Sequence, residues 1–320
     1  MQRFKIGTRG SPLALAQASM VRALLINSGL ITEDELETIV IKTSGDRIQD
    51  RSLADIGGKG LFTKEIEEAL SDGRIDLAVH SLKDLPAWMP DGLGLAAVLT
   101  RADPRDALLS PLADSITALP HGAKVGTSSP RRRALLLNLR PDLEIVEFRG
   151  NVGTRLAKLE SGDVDATMLA VAGMARLGMA DAPHHPVDPA EMLPAACQGA
   201  IGLEIRLDDE RAQAFCDALN HAETRVAVTA ERAFLSALDG SCRTPIAALA
   251  RIDGSEVDLE GLVARPDGGA VIRLRERAAI ADAAWLGDEM GRRIKAEMPL
   301  DFFVAAELGS GGAGAATGPK

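Results

Sequence analysis

The residues of this 320-residue chain that most invite chemistry are three cysteines, a Lys-Asp pair and a set of arginines. Cys242 lies in LDGSCRTPIAAL, between a serine and Arg243, just past Asp239-Gly240, where a helix is expected to end. A cation beside an accessible thiol favours the thiolate, whereas the negative end of the preceding helix opposes it. Three roles stay open for such a thiol: nucleophile, redox sensor or covalent attachment point. No Cys–His pair emerges from the spacing, which leaves protease-like catalysis weakly supported. The other two thiols read as packing. Cys216 shares a stripe with Ala212, Phe215 and Leu219 at helical spacing. Cys197 sits among small residues in PAACQGAIG. Three cysteines cannot all pair and none belongs to a CxxC, so a disulfide scaffold or zinc ribbon is not expected.

In LAVHSLKDLP, Lys83 and Asp84 follow a buried strand directly. From a turn, both side chains could reach a cleft. Asp84 could then act as general acid/base or stabilise a developing cation; an aspartate that merely starts a helix is the equally ordinary alternative. His80, alone at a strand end, reads as structural. His184-His185 has no nearby third ligand, which argues against a metal. VGTSSPRRRALLLNLRP places three arginines in a first helical turn, where they oppose the helix dipole. A bound anion would offset that. Arg149, Arg155 and Arg176 fall at or near the following strand–helix connections, where open parallel sheets bind ligands. A single arginine is ordinarily a solvated surface residue. A set of them placed after strands in an acidic chain favours a carboxylate or phosphate pocket. Sequence physics does not choose between those anions, although the missing GxxxxGK[ST] loop counts against nucleoside triphosphates.

The elements that must position these residues alternate strand and helix. Strands are expected at Phe4–Ile6, Thr38–Ile41, Ile75–Val79 and Gly94–Leu99, with helices from Ser11-Pro12 and over Lys64–Leu70. A charged, glycine-bearing stretch before Lys64 reads as a lid loop. Thr100–Asp106 reads as a hinge. A second alternating region follows, with strands at Lys124–Val125, Glu144–Phe148 and Ala166–Val171 and helices at Ser129–Leu139 and Val152–Glu160. IGTRGSP and VGTSSP echo each other: each puts Gly-Thr after a strand and Ser-Pro at a helix start. They read either as a shared anion-facing device or as two ordinary N-caps. GAIGLEIRL is a strand, and helices are expected over Asp208–Leu219 and Glu223–Leu238. The last region combines strands Ile246–Ile252, Glu256–Ala264 and Ala270–Arg275 with a helix Ala281–Glu297. Its Gly/Ala-rich tail is expected to be disordered. The core must be aliphatic, because 46% of residues are hydrophobic and tyrosine is absent. A formal charge of −10 opposes nonspecific nucleic-acid binding. No apolar run approaches the length of a membrane helix and the N-terminus has no signal-like pattern, so a soluble, cytoplasmic protein is expected.

Taken in order, IGTRGSPLALAQ, KTSGD, GGKGLFTKEIE, AVHSLKDLP, VGTSSPRRRAL, FRGNVGTRL, PAACQGAIGLE and ERAFLSALDGSCRTPIAALA resemble the porphobilinogen deaminase (hydroxymethylbilane synthase) family from about Lys5 to Met298. The resemblance implies an α/β enzyme of three domains, two of them similar to type II periplasmic binding proteins. Residues 1–99 and 200–219 would form the first, with a lid loop near 47–62. Residues 100–199 would form the second, 220–305 a smaller C-terminal domain, and 306–320 the tail. It implies a dipyrromethane cofactor held by a thioether to Cys242, onto which four porphobilinogen units are added with loss of ammonia. Asp84 matches the catalytic aspartate, expected near pyrrole nitrogens, where it would assist ammonia departure and stabilise cationic azafulvene and pyrrole intermediates. Lys83, Asp84, Thr127, Ser128, Ser129, Arg131 and Arg132 match cofactor-binding positions. Arg9, Ser11, Arg149, Arg155, Arg176 and Gln198 match positions for substrate and growing chain, and Lys59 and Phe62 belong to the lid. The implied partner is porphobilinogen alone, without nucleic acid or membrane, in a cytoplasmic monomer. A solute-binding module or an anion sensor built on the same cleft are the alternatives. The third domain with Cys242 and the absent export signal count against the first, and the lack of a DNA-binding segment against the second.

Overall fold

The computed structural model describes residues 3–47, 63–240 and 244–303. Lys59, Phe62, Cys242 and the tail, together with most of the expected lid, lie outside the described residues. The first sheet begins with β1 (Phe4–Arg9), whose chain turns at Ser11 into α1 (Pro12–Asn27). The Ser11 hydroxyl accepts from the Ala14 N–H at 3.3 Å and Pro12 takes the first helical position, where its missing N–H costs nothing. Next come β2 (Leu36–Ile41), the short α2 (Ser44–Arg47), α3 (Lys64–Ser71), β3 (Leu77–Ser81) and β4 (Leu93–Val98). α1 covers one face of the sheet with Ala18, Val21 and Leu25; α3 covers the other with Ile66, Ala69 and Leu70.

The chain then crosses to a second sheet at β5 (Asp106–Leu109), a strand that begins where the expected hinge ends. Its four residues are all buried, too short a run to betray a period. β6 (Lys124–Gly126), α4 (Pro130–Leu139), β7 (Glu144–Val146), α5 (Val152–Glu160), β8 (Ala166–Ala170), α6 (Val171–Arg176) and the two-residue β9 (His185–Pro186) complete this half. The chain crosses back through residues 187–200 to β10 (Ile201–Arg206), which runs antiparallel between β3 and β4, and to α7 (Glu210–Leu219) beside α1. The strand orders are β2-β1-β3-β10-β4 and β7-β6-β8-β5-β9. They are the same order twice, each with the strand supplied from the other crossover inserted antiparallel at the fourth place.

The sequence echo marks equivalent strands, since β1 and β6 hold the same place in their sheets. Both helix starts are genuine caps: Ser129 accepts from the Arg132 N–H at 3.4 Å as Ser11 does from Ala14. Both glycines are sterically required. A Cβ on Gly7 would lie 2.3 Å from Ile75, and one on Gly126 would lie 2.5 Å from Phe148.

The remaining residues build α8 (Ala222–Ala237), an antiparallel meander of β11 (Ile246–Asp253), β12 (Glu256–Ala264) and β13 (Val271–Ala279), and α9 (Ala283–Glu297). β13 runs past the expected end because its Arg and Glu residues alternate on an exposed edge, where charge is compatible with strand. Alternation along β11 divides its side chains between two cores. Ala248 and Ala250 meet α8 and α9, whereas Ala247 and Leu249 join Leu135 and Met168 of the second domain.

One fully buried carboxylate, Glu231 of α8, ties these parts together. It pairs with Arg101 of the outgoing crossover at 2.5 and 3.1 Å, and accepts the N–H of Cys197 in the return crossover at 2.5 Å and that of Ala250 in β11 at 2.7 Å. Removing one partner of a buried ion pair strands the other charge, which typically costs about 3–5 kcal/mol. Glu231→Ala is therefore expected to lower the free energy of unfolding by an amount of that order, read as a fall in the denaturant midpoint. A midpoint equal to that of the unmutated protein would show that the crossovers are held by something else.

Candidate active site

The parallel strands of both sheets end at one cleft of about 490 Å³, within the range usual for small-molecule sites. Arg9 and Ser11 follow β1. Lys83 and Asp84 lie in a single 3-10 turn (Leu82–Asp84) directly after β3. Leu82 and Leu85 are buried on either side of them, which turns the Lys and Asp outward. From the second domain come Arg132 of α4, Arg155 of α5 and Arg176 of α6, and from the return crossover Gln198. Eight sequence-expected site residues therefore meet on one cavity: Arg9, Ser11, Lys83, Asp84, Arg132, Arg155, Arg176 and Gln198.

Thr127, Ser128, Ser129, Arg131 and Arg149 do not line it. They stand just behind, in contacts of their own. Thr127 accepts from the Ser129 N–H at 3.2 Å, and the Ser128 hydroxyl donates to Phe148 O at 2.9 Å. Arg149 pairs with Glu147 at 2.7 Å. Arg131 is 4% exposed and donates to Leu193 O.

The anion expected to offset the arginines of α4 is internal. Asp106, the first residue of β5 and fully buried, meets Arg132 at 2.7 and 3.2 Å and Arg131 at 2.7 Å. Burial alone would raise its pKa, but the two guanidiniums hold it well below the usual carboxylate range. The same carboxylate accepts from the Gln198 side-chain N–H at 3.0 Å, and Gln198 in turn accepts from Lys83 at 3.3 Å. Arg101 donates to Gln198 O at 2.9 Å, which links this network to Glu231. Neither Asp106 nor Glu231 is legible as a site element from motif or spacing: Asp106 closes the charged stretch TRADPRD, where one more charge is unremarkable, and Glu231 lies in the largely apolar AVTAERAFL, where a charge is the one signal the sequence carries for it.

The cleft wall is cationic and poorly neutralised. Burial brings Lys83 down to about 8 despite the carboxylates of Asp84 and Asp106 near it. Burial, with Arg132 close by, brings Arg155 down to about 10. Arg176 is lowered by burial as well; one of its nitrogens donates to Gly199 O at 2.6 Å while its Nε is buried without a partner. Guanidiniums held so, away from water and short of acceptors, suit a ligand rich in carboxylates.

Cys242 lies outside the described residues, but its helix does not. Arg232 of α8 donates to the carbonyls of Leu85, Pro86 and Ala87, immediately after Asp84, the last two at 2.8 and 3.0 Å. Leu238 and Ile246, on either side of the thiol in the chain, share one core with Leu82 and Leu85. Cys197 and Cys216 are buried, and burial pushes each thiol up to about 12, in keeping with packing roles. His80 pairs with Glu204 of β10 at 2.8 Å, both buried. Among the described residues no His, Cys, Asp and Glu cluster could hold a metal, and no helix is long and apolar enough to cross a membrane.

A family model described as "Porphobilinogen deaminase, dipyromethane cofactor binding domain" matches residues 4–214, and one described as "Porphobilinogen deaminase, C-terminal domain" matches residues 225–296. Porphobilinogen deaminases of Nitrobacter winogradskyi and Paracoccus denitrificans are each 51% identical over 299 residues, 93% of this chain and 95% and 96% of theirs. The periplasmic aliphatic sulphonate binding protein SsuA from Escherichia coli overlays loosely, with a TM-score of 0.40 and 16% identity over 74% of this chain and 70% of that one. Matched by both family models and sharing half its residues with these enzymes along nearly its whole length, the chain belongs to the porphobilinogen deaminase family, transferases that join four porphobilinogen molecules, with loss of ammonia, into hydroxymethylbilane on a dipyrromethane cofactor.

Proposed function

We propose that the coupling of porphobilinogen takes place in the cleft between the first two domains, with Asp84 as the catalytic carboxylate and the surrounding cations as receivers of the pyrrole acetates and propionates. The observation that carries this reading is the convergence of Asp84 with Lys83, Arg9, Arg132, Arg155 and Arg176 on one cavity in a chain of net charge −10. The domain limits follow the two crossovers: residues 1–99 with 200–219, residues 100–199, and residues 220–305. The enzyme acts as a cytoplasmic monomer without nucleic acid; its acidic charge supports the last of these.

The donor set fits a dipyrromethane. Every pyrrole brings two carboxylates; the Nε of Arg176 is buried without an acceptor, and Arg155 and Lys83 are desolvated without a carboxylate in hydrogen-bond contact. Lys83, Asp84 and Arg132 would hold the group from the cleft wall, with Thr127, Ser128, Ser129 and Arg131 backing them from just behind it, and Cys242 its thioether. When bound, it supplies a tethered pyrrole carbon that accepts the first substrate unit. Arg9, Ser11, Arg149, Arg155, Arg176 and Gln198 receive the carboxylates of substrate and growing chain, and Lys59 and Phe62 belong to the lid over them. Asp84 accepts from pyrrole N–H groups and offsets the positive charge that develops as the amine departs. A carboxylate is suited to both because it is acceptor-only and anionic.

Intact-mass measurement of the purified protein is expected to show an adduct of two linked pyrroles, absent in Cys242→Ala. Active protein with an unmodified Cys242 would overturn the anchor. Asp84→Asn is expected to keep the adduct while turnover falls about 10²–10⁴-fold, the usual worth of a positioned acid/base group. Near-normal ammonia release by that variant would remove Asp84 from its role.

Lys83 sets a pH limit. Facing Asp84, Asp106, Arg131 and Arg132, it is charged below about 8 and neutral above. Its attraction for carboxylates is therefore present at lower pH and lost as pH rises through that value. kcat/KM, which reports the free enzyme, is expected to fall across the same range, and Lys83→Arg to remove the break. A wild-type profile that stays flat through about pH 8 would discount Lys83 as a substrate contact.

A further inference from the structure

Beside the main cleft lies a smaller pocket of about 60 Å³ that shares Arg9, Gln17, Ser81 and Asp84 with it and adds Thr63 and His80. A volume of that size holds a few water-sized molecules and cannot take a pyrrole with its two carboxylate arms. Its lining is rich in acceptors. Thr63 is 2% exposed, and its hydroxyl comes within reach of the Glu67 carboxyl without closing a hydrogen bond. It makes no cap bond to α3 either. Ser81 and Gln17 are bonded to each other at 2.8 and 3.0 Å. Behind His80, Glu204 is fully buried; one oxygen meets His80 Nε2 at 2.8 Å and the other has no partner. Among the described residues of the lining, Arg9 is the only fixed cation. The unpartnered Thr63 hydroxyl, beside the Ser81–Gln17 pair and backed by two buried acids, Glu67 and Glu204, calls for a small donor-only cation.

The coupling reaction produces one. The C–N bond of the substrate's aminomethyl group breaks with its electron pair leaving on nitrogen. A C–C bond forms to the α-carbon of the accepting pyrrole, and that carbon gives up its proton. Substrate ammonium and accepting C–H together yield the new C–C bond and one NH4+: the amine leaves as neutral NH3 and takes up the proton that the accepting carbon gives up.

We propose that the side pocket is the receiving site for this departing ammonium, with Thr63 Oγ1, Ser81 Oγ and the Gln17 carbonyl as its acceptors. The proposal rests on the assignment of Asp84 above, because the pocket opens beside that carboxylate.

The test compares initial rates of the holoenzyme in ammonium chloride and in sodium chloride at equal ionic strength. Ammonium is expected to inhibit the wild-type protein beyond the sodium control. In Thr63→Val the ammonium concentration that halves the rate is expected to rise about tenfold, the loss of one hydrogen bond to a charged group, while KM for porphobilinogen stays within about twofold. Thr63→Ser, which keeps the hydroxyl, should restore wild-type sensitivity, and Ser81→Ala reads the same wall should Thr63→Val not fold. Equal ammonium sensitivity in wild type and variants, or no inhibition of wild type beyond sodium, overturns the proposal. So does unchanged ammonium sensitivity with slowed release of the tetrapyrrole, which would make the pocket a site for hydrolytic water. Normal turnover in Asp84→Asn would instead sink the catalytic assignment, and the wild-type ammonium comparison would still read out on its own.

Discussion

Two buried carboxylates, Asp106 and Glu231, set the geometry on which the rest of this enzyme depends. Neither is tolerable alone in an apolar interior, and each is offset by arginine and by polar N–H groups. Their partners are not local. Glu231 reaches both crossovers and the third domain; Asp106 reaches α4 and Gln198. Arg101 and Gln198 join the two networks, so one continuous chain of polar contacts runs from the third domain to Lys83 at the cleft. A half-satisfied network of this kind would be worse than an apolar core, which makes the relative placement of the three domains an all-or-none matter.

That placement is what creates the site. Each five-stranded sheet collects its strand ends at one edge, but neither edge alone holds enough charge to bind a polycarboxylate. Arg9, Lys83 and Asp84 belong to the first sheet; Arg132, Arg155 and Arg176 belong to the second. The division puts Asp84 on one wall and most of the guanidiniums on the other. α8 completes the arrangement. Its Arg232 grips the backbone following Asp84, which fixes that turn against the third domain.

The arginines of α4 illustrate how charge patterning succeeds and misleads. Their place in a first helical turn is a true sign that an anion must be near. The nearest anion is nevertheless Asp106, a residue of the protein itself, 26 positions before Arg132. Arg131 is consumed largely by that partner and by Leu193 O, whereas Arg132 still borders the cavity. Sequence spacing carries the sign of the required charge but not its source, because a carboxylate from a distant strand and one from a ligand satisfy the same guanidinium equally well.

Much of the fold is legible in the residues alone. Caps, Pro at the first helical position and alternation place α1, α4, β12 and α9 to within a few residues, and the Gly-Thr…Ser-Pro echo marks the two equivalent strands. These are short-range signals, written in the backbone preferences of neighbouring residues. β5 is hidden because four buried residues have no period, and β13 extends beyond its expected end because charge on an exposed edge resembles a loop. By itself the sequence determined most of the elements, the excess of cations after strands and, through the ordered motifs, the family. Only the tertiary structure decided which of those cations face the cleft, that Asp106 and Glu231 exist as buried hubs, and that a small acceptor-lined pocket opens beside Asp84. The physical reason is range: helix and strand follow from contacts a few residues apart, whereas ion pairs and cavities depend on residues that the two crossovers bring together from opposite ends of the chain.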